Sequence, residues 1–428
     1  MEDKKQSEAQ FSNADAGVVS SVFDKSFGIV ELFGTFEGIH VSDTDTLDCG
    51  AAPLLCDSIK YNELVPLSRD KLWDEVKDID KEDMLEKIKT LKGSYMDSNK
   101  FKISLQSEKS AVYVRETRRF AYDGKVRATH ADSALVSAIL TKLEHNLISS
   151  ICGVTPRHLY YVVKNQLAVD IKMIDVIKIN DDLCCFWGCT RKSIGMGYSP
   201  SSSSFGGCIS LKETDMEGNE IITECTNMAK AYPIDMNSTF KIEKSISRPA
   251  KFILVLEKDT VFERLVREDK FAHKYKCILV CGKGQPDIQC RLFVRKLYDT
   301  LKIPVLILVD FNVYGIEIVK SYMVSSYNMA LQSSHLVIPS IKFLGLSGDD
   351  LKQFQVKLEQ LKPMTEVERK KIVKLSKENW VNEDIKSSLE LHLKWGKRAD
   401  IEILEIVHGY SFLSNVYLPE KLKQLGLA

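Results

Sequence analysis

Three short apolar runs decide the fold of this sequence: KFILVLE (251–257), CILVC (277–281) and IPVLILVD (303–310). Each run precedes a stretch with helical character, and these stretches are TVFERLVRE (260–268), PDIQCRLFVRKLYDTL (286–301) and GIEIVKSYMVSSY (315–327). Short buried strands that alternate with helices indicate a parallel sheet with right-handed crossover connections. The second half of the chain is therefore predicted to be an α/β domain with a mostly parallel sheet.

Polar side chains stand where two of these strands end. Glu257 closes the first run, Asp310 closes the third, and Asn312 follows two residues later. Functional groups gather beyond the carboxyl ends of parallel strands, and Mg²⁺ takes one or two carboxylates together with water or phosphate oxygens. The residues alone leave two interpretations open, a Mg²⁺ site suited to phosphoryl chemistry and acids that merely cap helices. The sequence contains neither a GxxxxGK[ST] nor a GxGxxG motif, which argues against nucleotide hydrolysis by this chain.

The segment from 132 to 164 predicts two helices joined by a turn. Apolar residues recur at every fourth position from Leu135 to Ile151, which is typical of an amphipathic helix that stops near Gly153. Thr155 and Pro156 then supply a helix cap and a first-turn proline for a second helix that runs through Lys164. This is the outline of a helix-turn-helix.

A hairpin wing is predicted after these helices. The Ser/Gly-rich loop 199–207 runs into the strand-like sequence CISL (208–211). A winged-helix domain over about 130–235 accommodates both features.

Arg157 and Tyr161 lie four residues apart on the second predicted helix and so share one face. An arginine can grip a phosphate while a tyrosine oxygen attacks phosphorus, but tyrosine has a pKa near 10 and needs a cation or base beside it. Core packing is the other interpretation of the Tyr160–Tyr161 pair.

Composition places the chain among globular proteins. Its 428 residues are 44% hydrophobic and 28% charged, which is compatible with about three domains. The sequence predicts neither a membrane span nor a secretion signal, because it has no sufficiently long apolar run and begins MEDKKQSEAQ. Net charge is zero, yet residues 101–130 hold seven basic and three acidic side chains, a surplus that could face phosphates.

Several stretches resemble one protein family. TPRHLYYVV (155–163) is similar to the nucleophile motif of the family that contains the A subunit of DNA topoisomerase VI and the meiotic break-forming protein Spo-eleven. Further similar stretches follow in the family's order: GCTRKSIGM (188–196), VLEKDTVFERL (255–265), GKGQPDIQCR (282–291), VDFNVYGIEI (309–318), KRADIEIL (397–404) and YLPEKL (417–422). Together they extend over roughly residues 130–428.

The resemblance implies roles for individual residues. Tyr161 matches the nucleophile that forms a phosphotyrosine bond to a DNA 5′ end, and Arg157 matches its helper. Glu257 and Asp310 match Mg²⁺ ligands, and Asn312 stands at the position of a third, where the family has an aspartate. Lys164, Arg191 and Lys283, which lie within or beside the matching stretches, are predicted to contact DNA. His158 is a second departure, because the motif normally has an aspartate there.

The resemblance also implies an architecture and partners. The expected fold is α/β and multidomain: an acidic, largely irregular segment (1–95), a winged-helix domain with a CAP-like helix-turn-helix (96–240), and a Toprim domain with a C-terminal helical extension (245–428). Expected partners are double-stranded DNA, a second copy of the chain, and a GHKL-type ATPase related to the B subunit of topoisomerase VI. No association with a membrane is expected. The expected location is the nucleus.

The function implied is a Mg²⁺-dependent DNA transesterase that makes double-strand breaks and initiates meiotic recombination. Two alternatives stay open: the A subunit of an ATP-dependent topoisomerase VI, which would reseal the break, and a catalytically silent DNA-binding scaffold of the same fold. The scaffold is considered because of His158 and Asn312, since a neutral amide holds a cation less strongly than a carboxylate.

Overall fold

The computed structural model describes most of the chain beyond residue 75. The described residues are 76–94, 100–106, 112–114, 118–121, 126–151, 153–167, 170–215, 217–226, 230–245, 247–267 and 270–427. The predicted irregular segment up to residue 75 lies outside them. So do nearly all side chains of the basic stretch 101–130.

The helices follow the predicted pattern closely in the second half of the chain. In chain order they are α1 Lys81–Ser94, α2 Ser133–Ile148, α3 Pro156–Leu167, α4 Met173–Trp187, α5 Asp259–Arg267, α6 Phe271–Tyr275, α7 Ile288–Leu301, α8 Val313–Met323, α9 Ser333–Leu336, α10 Gly348–Gln353, α11 Glu366–Leu375, α12 Glu383–Trp395, α13 Ile403–His408 and α14 Leu418–Gln424. Helix α8 ends four residues earlier than the sequence pattern predicts. The backbone of Ser325 turns into the left-handed region there, and its N–H bonds back to the carbonyl of Lys320.

The strands are β1 Lys100–Gln106, β2 Val112–Val114, β3 Arg119–Ala121, β4 Val126–Asp132, β5 Ser204–Gly207, β6 Ile209–Thr214, β7 Glu220–Glu224, β8 Tyr232–Pro233, β9 Phe240–Lys244, β10 Phe252–Leu256, β11 Cys277–Cys281, β12 Val305–Leu308, β13 Lys342–Gly345, β14 Lys362–Pro363 and β15 Lys397–Arg398. A six-stranded sheet in the order β13-β12-β10-β11-β5-β8 is the centre of the second half. Strands β10 to β13 pair in parallel, whereas β5 and β8 join antiparallel at one edge. The prediction of a mostly parallel α/β sheet is confirmed.

Successive apolar side chains of the central strands point to opposite faces of this sheet, and each face is covered by an apolar core. Ile253 and Val255 of β10 face a cluster that includes α7, α8, α11 and α12. Phe252 and Leu254 face the opposite cluster, to which α5, α6, α13 and α14 contribute. Because both faces are covered, the strands are apolar throughout rather than alternating with polar residues.

Helices α1 to α4 form a separate apolar cluster. Leu135, Ile139 and Leu143 of α2 are buried in it, as the spacing predicts, whereas Ile151, the last residue of the predicted stripe, lies beyond the end of α2 and is 40% exposed. Asp132 caps α2 by accepting from the backbone N–H of Ala134 at 2.8 Å and of Leu135 at 3.0 Å. The predicted cap of α3 is confirmed too, since the Thr155 hydroxyl accepts from the N–H of His158 at 3.2 Å.

The strand of the predicted wing is present, whereas part of its predicted loop is itself a strand, and the winged-helix domain stays a prediction. Residues 204–207, assigned to its loop, form β5, which pairs with β11 of the central sheet. The strand predicted at CISL exists as β6, but it pairs with β7 and β9 in a three-stranded antiparallel sheet. The glycines that suggested a loop fit a strand that is closely approached by its neighbour: a Cβ on Gly207 would lie 2.4 Å from the carbonyl oxygen of Cys277, and the φ of Gly207 is +104°.

None of the helices in the described part of the chain combines the length and the apolar character needed to cross a bilayer.

Candidate active site

Tyr161 projects from α3 into solvent. Its side chain is 51% exposed, whereas Leu159 and Val163 of the same helix are buried against α2 and α4. Arg157 lies one helical turn earlier and is also exposed. The helix therefore buries its apolar face and presents Arg157 and Tyr161 together, which excludes core packing as the reason for Tyr161.

Tyr160 and Lys164 form a pair beside Tyr161. The Lys164 ammonium donates to the Tyr160 hydroxyl at 3.1 Å, and the two tyrosine rings lie 5.1 Å apart between centroids. The bond to Tyr160 raises the pKa of Lys164 above its ordinary value. Lys164 thus keeps a positive charge within one turn of Tyr161.

Glu257 and Asp310 meet at the end of the central sheet because of strand register. Leu256 of β10 pairs with Leu308 of β12, so the residues that follow both strands emerge side by side. The Glu257 carboxylate accepts from the backbone N–H of Asp310 at 2.9 Å. With Val261, Leu308 and Ile401 the two acids line a small cavity.

Burial acts on both carboxyls, and the charge of Asp310 acts in addition on Glu257. Burial, and then the charge of Asp310, raises the pKa of Glu257 to about 7. Burial also raises the pKa of Asp310, although Lys258 opposes that shift. Both carboxyls are therefore less readily charged than in water, and a bound cation would favour their charged forms.

Asn312 caps the helix that follows. Its amide oxygen accepts from the N–H of Gly315 at 2.8 Å at the start of α8. Gly315 is required by this turn, because a Cβ there would lie 2.5 Å from the carbonyl oxygen of Asp310. Among the described residues, no group of three or more His, Cys, Asp or Glu side chains is arranged to hold a metal ion.

Sequence reasoning missed Lys258 and its partners. The Lys258 ammonium lies 3.3 Å from the Asp310 carboxylate and also binds Glu402, which comes from the turn before α13. Asp400 is near enough to raise the pKa of Glu257. The KRADIEIL stretch contains both acids, and its resemblance to the family was the signal that could have found them.

The other predicted DNA contacts have different surroundings. Lys283 is one-third exposed and lies 3.2 Å from Asp259. Arg191 is 14% exposed and donates to Asp181 through Nη2 at 2.7 Å, so in this structure it joins its loop to α4. The role of these residues at DNA stays a prediction.

The structure places the two halves of the predicted site without a polar contact between their described residues. In the part of the chain that the structure describes, no hydrogen bond or ion pair connects Tyr161 or Arg157 with Glu257, Asp310 or Asn312.

Comparison with known proteins identifies the family. The family model of the Toprim domain of the topoisomerase 6 A subunit and Spo11 matches residues 252–422. The A subunit of DNA topoisomerase 6 of Arabidopsis thaliana is 33% identical over 339 residues, which are 77% of this chain and 76% of that protein. This chain belongs to the family of the topoisomerase 6 A subunit and Spo11.

Other similar proteins include a further topoisomerase 6 subunit and a meiotic recombination protein. The A3 subunit of DNA topoisomerase 6 of Oryza sativa subsp. indica is 37% identical over 69% of this chain and 64% of its own length. Meiotic recombination protein SPO11 of Mus musculus is 32% identical over 68% of this chain and 71% of its own length. The Toprim assignment of the second half is thereby confirmed, and the parallel strands β10 to β13, with Glu257 and Asp310, lie within the matched residues.

Proposed function

We propose that this protein is a Mg²⁺-dependent DNA transesterase that makes double-strand breaks through a 5′-phosphotyrosyl linkage. The observation that carries the proposal is the exposed Tyr161–Arg157 face of α3 in a chain of the topoisomerase 6 and Spo11 family. A nucleophile that acts on duplex DNA must be reachable from solvent, and Tyr161 is.

The bond-making step exchanges one phosphoester for another. The Tyr161 hydroxyl oxygen attacks a backbone phosphorus, the bond to the 3′ oxygen breaks, and that oxygen takes up a proton as a free 3′ hydroxyl. Arg157 binds the phosphate with its planar guanidinium, which can donate to two oxygens at once. The positive charge of Lys164 favours loss of the tyrosine proton.

Glu257 and Asp310 are the residues that would hold Mg²⁺, with the amide oxygen of Asn312 as a further ligand. The donor set fits, because all three offer hard oxygen atoms of the kind that Mg²⁺ prefers. Burial, and then the charge of Asp310, raises the pKa of Glu257, so a bound cation would favour its charged form. When bound, Mg²⁺ supplies positive charge for phosphate oxygens. The neutral Asn312 makes this site less negative than one with three carboxylates.

A homodimer completes the proposed site. Because Tyr161 and the acid pair are not joined within one described protomer, the tyrosine of one copy would act beside the acids of the other. A GHKL-type ATPase is the further partner we propose, since the chain contains no phosphate-binding loop motif. The relatives are named for meiotic recombination or for a topoisomerase, which supports a DNA-cleaving role in the nucleus.

We favour break formation in meiosis over the topoisomerase VI role, which the similarity to the rice and Arabidopsis proteins keeps as a second candidate. The two differ in outcome, since a topoisomerase reseals the break. Relaxed, closed circles produced with ATP and an ATPase partner would identify the topoisomerase, and persistent protein-linked breaks would identify the break-former.

Trapping a covalent protein–DNA adduct tests the transesterase directly. We expect Tyr161→Phe to abolish the adduct while DNA binding persists, because the substitution removes a single oxygen. Tyr160→Phe is the matched control on the same helix and should keep adduct formation at a reduced level, through its loss of the bond to Lys164. Equal adduct yields from wild type and Tyr161→Phe would disprove the assignment. A complete absence of adduct in the wild type with all partners present would favour the silent scaffold.

A further inference from the structure

Lys258 occupies a position between two acids at the proposed metal site. It directly follows Glu257 at the end of β10, and its ammonium is 3.3 Å from Asp310 Oδ2. On its other side it binds the carboxylate of Glu402. The second oxygen of Asp310 accepts from the backbone N–H of Ile401 at 2.9 Å. Both oxygens of Asp310 are therefore engaged, one of them by a cationic side chain.

Lys258 is the basic side chain that pairs with Asp310. The other basic residues nearby have acidic partners of their own: Lys362 binds Asp400, and Arg398 binds Glu368 at 3.0 Å. Asp310 is 6% exposed and the Lys258 side chain 26%, so water weakens their attraction less than it would at an open surface. The charge of Lys258 thus has a large effect on any other cation that binds Asp310.

We propose that Lys258 is a built-in counter-cation that competes with Mg²⁺ for Asp310, and that Glu402 holds its ammonium when Mg²⁺ binds. An ammonium and a divalent cation on one carboxylate repel each other, so Mg²⁺ has to displace Lys258. Glu402 already contacts that ammonium and needs no rearrangement to keep it paired. This inference rests on the proposed function, because it assumes that Glu257 and Asp310 bind Mg²⁺.

The proposal predicts opposite effects for the two partners. Lys258→Met keeps the length of the side chain and removes the competitor, so Mg²⁺ affinity should rise by about tenfold, a factor typical of a nearby like charge. Glu402→Gln leaves Lys258 with Asp310 alone, so affinity should fall. In the double variant, Glu402→Gln should change the logarithm of the Mg²⁺ affinity by less than about half as much as it does in the wild type. The reason is that substitutions of two residues that act through each other are not additive.

Titration calorimetry of Mg²⁺ into the full chain at pH 8 measures these affinities without requiring DNA cleavage. Lys212→Met is the matched control, since it removes the same charge from a lysine of β6 that is as buried as Lys258 and is paired with Glu220. Lys258→Gln is a second variant whose amide can still donate to Asp310 if the methionine variant folds poorly. Circular dichroism confirms the fold of each protein.

The outcomes separate this inference from the metal site itself. A gain with both Lys258 variants, together with an unchanged affinity of Lys212→Met, supports the competition. Unchanged or weaker binding in the Lys258 variants overturns it, and the Mg²⁺ site survives if Asp310→Asn weakens binding. If Asp310→Asn binds Mg²⁺ like the wild type, the proposed metal site fails and the inference fails with it.

Discussion

Glu257 is a residue at which burial and a neighbouring charge act in the same direction. Both raise the pKa of its carboxyl, from 4.5 to about 7. A group whose pKa is higher in the folded than in the unfolded state contributes stability that is fully present below the unfolded value. That contribution is lost as the pH rises through about 7, because the folded protein then has to bury a charged carboxylate.

Glu257→Gln should therefore stabilise the metal-free protein at high pH. Glutamine keeps an acceptor for the N–H of Asp310 but carries no charge. We compare the free energy of unfolding of the variant with that of the wild type at each pH. The advantage of the variant should be larger at pH 8 than at pH 5, by on the order of 2 kcal/mol. Urea unfolding in the presence of a chelator measures the difference, with Glu390→Gln, an exposed acid on α12, as control. If the free energy of unfolding depends on pH in the same way in the wild type and in Glu257→Gln, the raised pKa of Glu257 is contradicted.

The residues that the sequence made recognisable are those whose context is local. Arg157 and Tyr161 share a helix turn, and the positions of Glu257 and Asp310 follow from where apolar runs end. Lys258 was not recognised as part of the site, because its partner Glu402 is 144 positions away. No local pattern shows which acid a lysine will meet when a chain returns to the same sheet edge.

At the scale of elements, the sequence predicts what each segment becomes better than where it packs. The runs at 251–257, 277–281 and 303–310 became β10, β11 and β12 because continuous apolar residues fit a sheet that is covered on both faces. The same reasoning failed for β5, whose short sequence SFGG has no apolar periodicity. Its place is set by pairing with β11, about 70 residues later, and by glycines that permit close approach.

Helix α14 depends on one buried carboxylate in α10. Asp350 accepts from the Tyr417 hydroxyl at 3.0 Å and from Lys421 at 2.7 Å, and it also caps its own helix through the N–H of Ser347. These contacts fasten the C-terminal helix to the opposite face of the Toprim sheet from α7 and α8. Removing the charge leaves Lys421 partly buried without its partner.

Asp350→Asn should accordingly destabilise the protein by about 3 kcal/mol, the range found when one member of a buried ion pair is lost. Asp349→Asn is the adjacent control: this acid is 68% exposed, and its pair with Lys352 should matter by less than about 1 kcal/mol. Thermal unfolding measures both, and limited proteolysis shows whether α14 is released first. Equal unfolding temperatures for the two variants would mean that α14 is held by its apolar contacts alone.

For the whole molecule, the proposed mechanism makes assembly the controlling step, because no hydrogen bond or ion pair joins Tyr161 to the acid pair among the described residues of one chain. In the proposed dimer, two strand cuts require two tyrosines, each brought to the acid pair of the other copy. The chain has zero net charge, so DNA binding has to rely on local surpluses such as the seven basic residues of 101–130 rather than on overall attraction. Binding of DNA through its phosphates does not supply the energy to close the proposed dimer around a duplex.

The purified chain should thus bind duplex DNA and yet cleave little of it, with or without ATP. Binding through phosphates releases counterions, so we expect the affinity to fall steeply as salt rises from about 50 to 200 mM. Adduct formation should appear when a GHKL-type ATPase partner is added, and it should require the nucleotide if ATP binding closes the dimer. Filter binding and adduct trapping on the same preparation measure the two properties, with Tyr161→Phe as the variant that binds but never forms an adduct. Robust ATP hydrolysis by the isolated chain, or efficient cleavage without any added partner, would show that closure is built into this chain, since the energy for bringing the two tyrosines together would then need no other protein.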